Sequence, residues 1–462
     1  MTITLLSLPN EILNLIFDQI CLPIGREGFG SYTDSFLRMQ TCWINGACRR
    51  LHELMLPRLF FDIRISCGTT KKGPYFRFDE RFSDLEWKYG VYYYHGKFIR
   101  AADLEWKYAA YHRHGTFIRA MSIVHRMAGE GDEAEIEKFR AELPRRLQLT
   151  MTDLLDQLLP RFDNLKRVSF TDPQIQSSIR FNALVTGINQ TLQRCRALKD
   201  LEIYFNIALK DSDIAKVMDI TARNSNSRLP VVAGDSLMGQ ELPRLDKLIV
   251  SFETALQGDY IPDPIRIWAL EKLFGILWPS AQTVTYFGLR CPIYKDSLVR
   301  LAPTYDSPWP ISEPLRVYTL PKVKDMQVHL DMTSLRVLNN WFVVDASAVN
   351  FLELEATILR ENDDDIKIEY EFCSSFRNVS LIGITYEGVW WNHLIKLLDE
   401  IVLHRDSFKR LERIRARVPN TDGHMIQALT KRYGMAKKRW GPMEKTEIIL
   451  LFQEMKLSGS IE

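Results

Sequence analysis

The side chains that could do chemistry in this 462-residue chain are few, and their spacing suits none of the common reaction types. His112 and His114 come nearest to a metal-ligand pair, but no Cys or Glu stands at ligand spacing beside them. Asp363-Asp364-Asp365 lacks both the Gly and the closing Glu of a calcium loop. Gly25-x-x-Gly28-x-Gly30 has the wrong order for a phosphate-cradling loop, with no strand-to-helix turn around it. No Gly-x-Ser-x-Gly nucleophile elbow is present. No catalytic residue, metal or cofactor is therefore expected. What remains is charge. From Arg405 to Arg439 eleven basic residues face three acidic ones, a local excess of eight in a chain whose net charge is only +2. Such a region favours an acidic or phosphorylated target. Its last part, Lys431-Arg432 and Lys437-Lys438-Arg439, is expected to be a solvated helix face rather than a nuclear-import or phosphate-binding cluster.

The element that asks most clearly for a partner is the first one. Pro9 suits the first turn of a helix, where its missing N–H has no acceptor to lose. Glu11 follows in the same turn and complements the positive end of the helix dipole. At about 100° per residue, Ile12, Ile16 and Ile20 share one side, Leu13 and Phe17 lie beside them, and Leu15 widens the stripe the other way. The apolar arc covers roughly 200°, about twice what a surface helix needs against a single core. One half can serve this chain's own core, and the other half calls for a second protein.

The residues themselves sharpen that expectation. Leu8-Pro9-Asn10-Glu11-Ile12-Leu13, followed later by Cys42 to Leu51 with its Cys48-Arg49-Arg50-Leu51 turn and by Pro57-Arg58-Leu59-Phe60, resembles an F-box. This chain departs from that pattern in the glycine-rich connection Leu22 to Thr33. The resemblance implies a small three-helix head that docks on a Skp-type adaptor, and through it on a cullin, by way of Leu8, Pro9, Glu11, Ile12, Ile16, Phe17 and Ile20. It also implies that any ubiquitin-transfer chemistry belongs to other subunits.

Composition narrows the setting. Hydrophobic residues make up 46% of the chain, yet no run of 18 or more apolar residues occurs, so no membrane span is expected. The first residues lack the basic lead of a signal peptide. The seven cysteines (21, 42, 48, 67, 195, 291 and 373) are scattered and never spaced as Cys-x-x-Cys. They read as reduced thiols of a cytoplasmic or nuclear protein. Nucleic acid is not an expected partner.

Past the head, a strand is expected near Asp62 to Ser66 and a polar boundary turn at Cys67 to Gly73. A tandem duplication follows with an offset of 19 residues: Asp84 to Tyr89 recurs as Asp103 to Tyr108, and His95 to Ala101 as His114 to Ala120. Only the second copy runs on into a strand-like Met121-Ser122-Ile123-Val124. The first copy therefore reads as an added surface segment.

From Thr116 onward, triplets of the form apolar-x-x-apolar-x-apolar alternate with helix candidates. The triplets are 165/168/170, 198/201/203, 245/248/250, 284/287/289, 323/326/328, 349/352/354 and 376/379/381. The helix candidates are Asn182 to Cys195, Asp211 to Arg223, Pro264 to Trp278, Ser334 to Val344 and Trp390 to His404. Strand–helix–strand alternation implies parallel strands. Repetition of a similar triplet is similar to a degenerate leucine-rich-repeat solenoid, with a compact α/β domain as the alternative. Prolines at 303, 308, 310, 314 and 321 mark a stiff loop over Leu301 to Thr319.

The expected organisation is mixed α/β. An F-box-like head (1–66) leads to a linker carrying the duplication (67–115), then an irregular leucine-rich-repeat-like solenoid (116–420) and a helical cap or tail (421–462). The expected role is that of a substrate receptor in a cullin-RING ubiquitin ligase, the solenoid holding an unknown target protein. A scaffold with the same head and no degradation role is the alternative.

Overall fold

The computed structural model describes residues 8–21, 50, 51, 53, 54, 62–70, 73–78, 108, 111–125, 141, 148–207, 242–253, 263–290, 318–329, 342–356, 376–386, 391–421, 423–440 and 447–454. The chain is mixed α/β, and twelve of its strands belong to a mostly parallel sheet. It divides into two compact units, residues 1–201 with 234–243, and residues 202–233 with 244–462.

In the first unit, helix α1 spans Asn10–Cys21. Strands β1 (Asp62–Thr70) and β2 (Gly73–Phe78) pair antiparallel, and β1 then pairs in parallel with β3 (Ala120–His125), which pairs in parallel with β4 (Arg167–Ile175). Cys67 to Thr70, expected in a boundary turn, continue β1 instead. The alternation Ile63, Ile65, Cys67 carries the strand's buried side straight through that stretch. Helix α2 (Met151–Leu158) opens on a capping box. The Thr150 hydroxyl accepts from the Asp153 N–H at 3.1 Å, and the Asp153 carboxylate accepts from the Thr150 N–H at 3.2 Å. Helix α3 (Ser178–Arg194) opens with the Ser177 hydroxyl accepting from the Arg180 N–H at 3.3 Å. At Gly187 a Cβ would lie 3.0 Å from Met151 and 3.7 Å from Phe170, so this glycine lets α3 settle close to α2 and to the buried side of β4.

The retained copy of the duplication can be followed from Tyr111 into β3. Copy one (84–102) and the aromatic cluster Trp87 to Tyr94 lie outside the described residues. A short 3-10 turn at Gly115–Phe117 leads into β3, and there a Cβ on Gly115 would stand 2.6 Å from the Arg161 carbonyl oxygen and 2.8 Å from the Phe162 ring. Because the nearest obstacle is backbone, Gly115→Ala is expected to destabilise the protein by about 1–3 kcal/mol. The urea midpoint measures that loss.

The second unit repeats one step many times. Its strands are most of β5 (Asp200–Ile207), β6 (Lys247–Glu253), β7 (Tyr286–Arg290), β9 (Asp325–His329), β11 (Phe351–Ala356), β12 (Leu381–Tyr386), β13 (Arg413–Thr421) and β14 (Glu447–Glu454). They lie side by side in chain order, and the pairs from β6 to β14 are parallel. Short strands β8 (Tyr318–Leu320) and β10 (Phe342–Val344) form a separate parallel pair. The helices are α4 (Asp263–Ala281), α5 (Trp391–Leu403) and α6 (Gly423–Trp440). None of the described helices is long and apolar enough to cross a membrane.

The steps from β6 to β13 begin the same way. The carbonyl just before one strand accepts from two successive N–H groups entering the next. Thr285 O takes Lys324 N at 2.8 Å and Asp325 N at 3.0 Å, and Asn350 O takes Ser380 N at 2.9 Å and Leu381 N at 3.3 Å. This fixes the register, so equivalent residues align in columns. Leu248, Phe287, Met326, Leu352, Ile382 and Ile414 form one buried column, and Val250, Leu289, Val328, Leu354, Ile384 and Ala416 another. A monotonic strand order with right-handed crossovers puts the connecting helices on one side of such a sheet. Residues between the buried columns therefore form the opposite, open face.

Four of the seven expected triplets fall on these columns, and two more, 165/168/170 and 198/201/203, are buried in the same pattern along β4 and β5. The seventh is out of phase: the buried set is Val379, Ile382 and Ile384, and Leu381 turns to the open face. Two further differences concern element type. Val344, expected to end a helix begun at Ser334, lies in β10 with Phe342 and Val343, where three apolar residues pair along β8. Tyr318 and Thr319, expected in the proline-rich loop, form β8 itself. The helix candidate at Asp211 to Arg223 lies outside the described residues. The last segment holds a strand, β14, as well as a helix.

Candidate functional site

The apolar arc of α1 is divided in two. Leu13 and Phe17 are fully buried and pack with Leu51, with Leu8, Ile16 and Leu54 at the margin of this small core. Ile12 and Leu15 remain 42% and 61% exposed. Around the helix axis the bare residues sit roughly 100–200° from the buried pair. Ile12, Leu15 and the partly covered Leu8 and Ile16 thus make one continuous ledge.

Arg50 fixes this arrangement. Its guanidinium donates to the Leu8 carbonyl at 2.7 Å and to the Asn10 side-chain oxygen at 2.6 and 2.8 Å. It thereby ties the segment after the Cys48-Arg49 pair to the start of α1. The Pro9 carbonyl accepts the first helical bond, from Leu13 N at 3.0 Å, which puts Pro9 just ahead of the helix.

Of the residues expected to meet a partner, Pro9, Glu11 and Ile12 are exposed, and Leu8 and Ile16 are half-buried. Phe17 is sealed inside and supports the ledge from beneath. The side chain of Ile20 lies outside the described ones. Leu15, not among the expected contacts, is barer than Ile12. Covering a side chain of this size contributes up to about 1.5–3 kcal/mol, so the ledge is where association would gain most.

The open face of the second unit is a polar surface knitted across strands. The Tyr286 hydroxyl donates to Gln327 Oε1 at 2.9 Å and to Glu353 Oε2 at 3.3 Å. Burial first, then the Glu353 and Glu355 carboxylates, pushes this phenol's pKa upward, so it stays a donor. Thr385 donates to the other Glu353 oxygen at 3.1 Å, and the Gln327 amide donates to Glu355. Arg290 reaches Glu355 at 3.8 Å, and Lys247 donates to Glu202 at 2.7 Å while lying 5.2 Å from the centre of the Tyr286 ring. Glycines at 288 and 383 leave the face shallow. A Cβ on Gly383 would meet the Phe351 ring at 3.2 Å, so that ring leans over the glycine.

The basic region from 405 to 439 is split by the fold. Arg413, Arg415 and Arg417 alternate along β13 with buried Ile414 and Ala416, all three exposed on the open face. Lys431, Arg432, Lys437, Lys438 and Arg439 lie exposed on α6, the expected solvated helix face. Arg439 meets Asp399 of α5 at 2.8 Å, and Trp440 donates to the same carboxylate at 2.6 Å.

In the first unit one cluster escaped the sequence reading. Cys67, His125 and Asp172 continue the buried sides of β1, β3 and β4, and Cys67 is in register with His125. Each follows its strand's apolar alternation (Ile63-x-Ile65-x-Cys67, Met121-x-Ile123-x-His125, Val168-x-Phe170-x-Asp172), a signal visible only once the strands are aligned. Arg180 of α3 closes the row, its Nε and Nη2 donating to the two Asp172 oxygens at 2.9 and 2.5 Å. Burial pushes the Cys67 thiol up to about 12, Asp172 adding to the rise and Arg180 opposing it. Burial, then Arg180, lowers His125 to about 3. The Asp172 carboxylate 3.9 Å from His125 Nδ1 does not reverse this, because it is committed to Arg180. At neutral pH the row thus holds a thiol and a neutral imidazole, not a thiolate–imidazolium pair.

A stability slope follows. An unfolded histidine binds its proton near pH 6.5 and the folded one only near 3. The unfolded state therefore holds more protons in that window, and stability falls as pH drops through it. His125→Gln is expected to flatten the dependence of the urea midpoint between pH 6.5 and pH 4. An unchanged slope would contradict the neutral, buried imidazole.

His112, weighed as a metal ligand, instead accepts a hydrogen bond from Arg161 Nε at 3.2 Å. Among the described residues no group of three or more His, Cys, Asp or Glu side chains could hold a metal ion. Comparison with family models and with curated proteins finds no match for this sequence.

Proposed function

We propose that this chain is a non-catalytic receptor whose N-terminal segment is an F-box-like three-helix head docking on a Skp-type adaptor of a cullin-RING ubiquitin ligase, and whose sheet region is an irregular leucine-rich-repeat-like solenoid that holds a target protein. The observation that carries the reading is the ledge. Ile12 and Leu15 stay bare while Leu13 and Phe17, on the same helix, are fully buried. Apolar side chains left bare together on one side of a helix favour a surface that meets a partner. Two further features support it. Arg50 and Leu51, from the second half of the F-box-like pattern, contact the first half. The strands also follow one another in chain order with a repeated hydrogen-bond step, as stacked repeats require.

Co-purification of the full-length chain with a Skp-type adaptor tests the proposal. The wild-type chain is expected to carry the adaptor and cullin along, and the Ile12→Asp, Leu15→Asp double variant to lose both while remaining folded. A wild-type chain that brings down neither would overturn the docking role. Depletion in cells then separates a degradation receptor, whose target accumulates, from a scaffold, whose partner's abundance stays constant.

A further inference from the structure

On the open face of the sheet, cations have cross-strand carboxylate partners. Arg167 reaches Asp200 at 3.3 Å, Lys247 reaches Glu202 at 2.7 Å, Arg290 reaches Glu355 at 3.8 Å, and Arg413 reaches Glu447 of β14 at 3.5 Å. Arg415 and Arg417 break the rule, for neither has a hydrogen bond or ion pair among the described residues. The register explains why. Arg415 is in register with Gly383 and Ile449, and Arg417 with Thr385 and Leu451, so the directly opposed positions on both adjacent strands carry no carboxylate.

We infer that Arg415 and Arg417, with Arg413 released from Glu447 as a third contact, bind an extended segment of a protein partner that carries Asp or Glu at alternate positions. This deepens the receptor reading and rests on it for the segment's role as a target. Alternate residues of any extended chain are about 6.6–6.8 Å apart on one side, the same interval at which the arginines recur along β13. A segment laid along the strand therefore presents one carboxylate to each guanidinium, and each pair can bond through two parallel N–H groups. The rest of the surface limits what can bind. Glu353 and Glu355 lie on the next strand but one, and Asp325 and Glu202 on strands further away, so a polyanion tracking across the face would be repelled where a short acidic segment confined to β13 would not. The Phe351 ring over Gly383 gives an apolar side chain of the segment a place to rest beside Arg415. The lysines of α6 are on the helix side and take no part.

Fluorescence anisotropy on the full-length chain tests this, using a labelled peptide with the core Glu-Ser-Glu-Ser-Glu. The controls are its Gln-Ser-Gln-Ser-Gln counterpart, that glutamine core with one serine phosphorylated, and a single-stranded oligonucleotide. The glutamate peptide is expected to bind at least about tenfold more tightly than the glutamine peptide, since charge-assisted hydrogen bonds are lost. The preference should fade as salt is raised. Arg415→Ala with Arg417→Ala is expected to abolish it, Arg415→Lys with Arg417→Lys to retain part of it, and Lys437→Ala with Lys438→Ala to leave it intact. Both arginines are exposed, and an unchanged melting temperature confirms that the variants fold. Equal binding of the two peptides, an undiminished preference in the double alanine variant, or tighter binding of the oligonucleotide or the phosphorylated core would overturn the inference. The Ile12→Asp, Leu15→Asp variant should bind the peptide normally and the arginine variants should still capture the adaptor, so failure here is distinct from failure of the docking role.

Discussion

Arg180→Ala is expected to destabilise the first unit by about 3–5 kcal/mol, because it leaves one charge of a buried pair behind. Asp172 is almost wholly enclosed, and the Arg180 guanidinium grips both of its oxygens. With the arginine gone, His125 stands 3.9 Å from the carboxylate as a potential cation among the described residues. Charging that imidazole would carry its own desolvation cost. The variant therefore keeps an enclosed carboxylate stripped of its two arginine hydrogen bonds. Arg180→Ala combined with Asp172→Ala should recover a large part of the loss, as expected when the penalty comes from the orphaned partner rather than from missing contacts. Urea unfolding of the single and double variants measures the coupling. A single-variant loss below about 1 kcal/mol would mean that the pair is solvated.

The second large effect concerns the head. Phe17→Ala should cost about 3–5 kcal/mol. Among the described residues its ring shares a core with buried Leu13 and Leu51. The loss falls on the packing that holds α1, which is expected to come apart while the sheet stays folded. Amide exchange reports this directly: protection at the α1 amides should collapse in the variant and persist in β6 to β13. Ile12→Asp on the same helix removes no core contact and should change stability by only about 0.5 kcal/mol. The contrast between neighbouring positions is the signature of an arc shared between two surfaces.

How much of this was legible in the residues depends on how far each determinant lies along the chain. The width of the α1 arc follows from local periodicity. Which half is covered does not, since Leu51, nearly forty residues away, decides it. Most parallel strands announced themselves because a strand buried on one side between polar residues leaves a short apolar triplet. The reading slipped at 376/379/381, where Phe376, buried in the turn before β12, mimicked the first position of the set. It missed β13 because Arg413, Arg415 and Arg417 interrupt Ile414 and Ala416, so the stretch read as a charged region and not as a strand with a basic open side. The row of Cys67, His125, Asp172 and Arg180 draws on four separate elements. Each member looks ordinary until parallel register sets them side by side.

The most direct measurement is a calorimetric titration of a purified Skp-type adaptor into the full-length chain and into its Ile12→Asp, Leu15→Asp variant, with the unfolding midpoint of each recorded alongside. Wild type should bind, and the variant should bind at least about a hundredfold more weakly, the loss expected when about 3 kcal/mol of apolar contact is replaced by charge, with its midpoint unmoved. An adaptor that binds both chains equally, or neither, would contradict the uncovered half of the first helix as the docking surface.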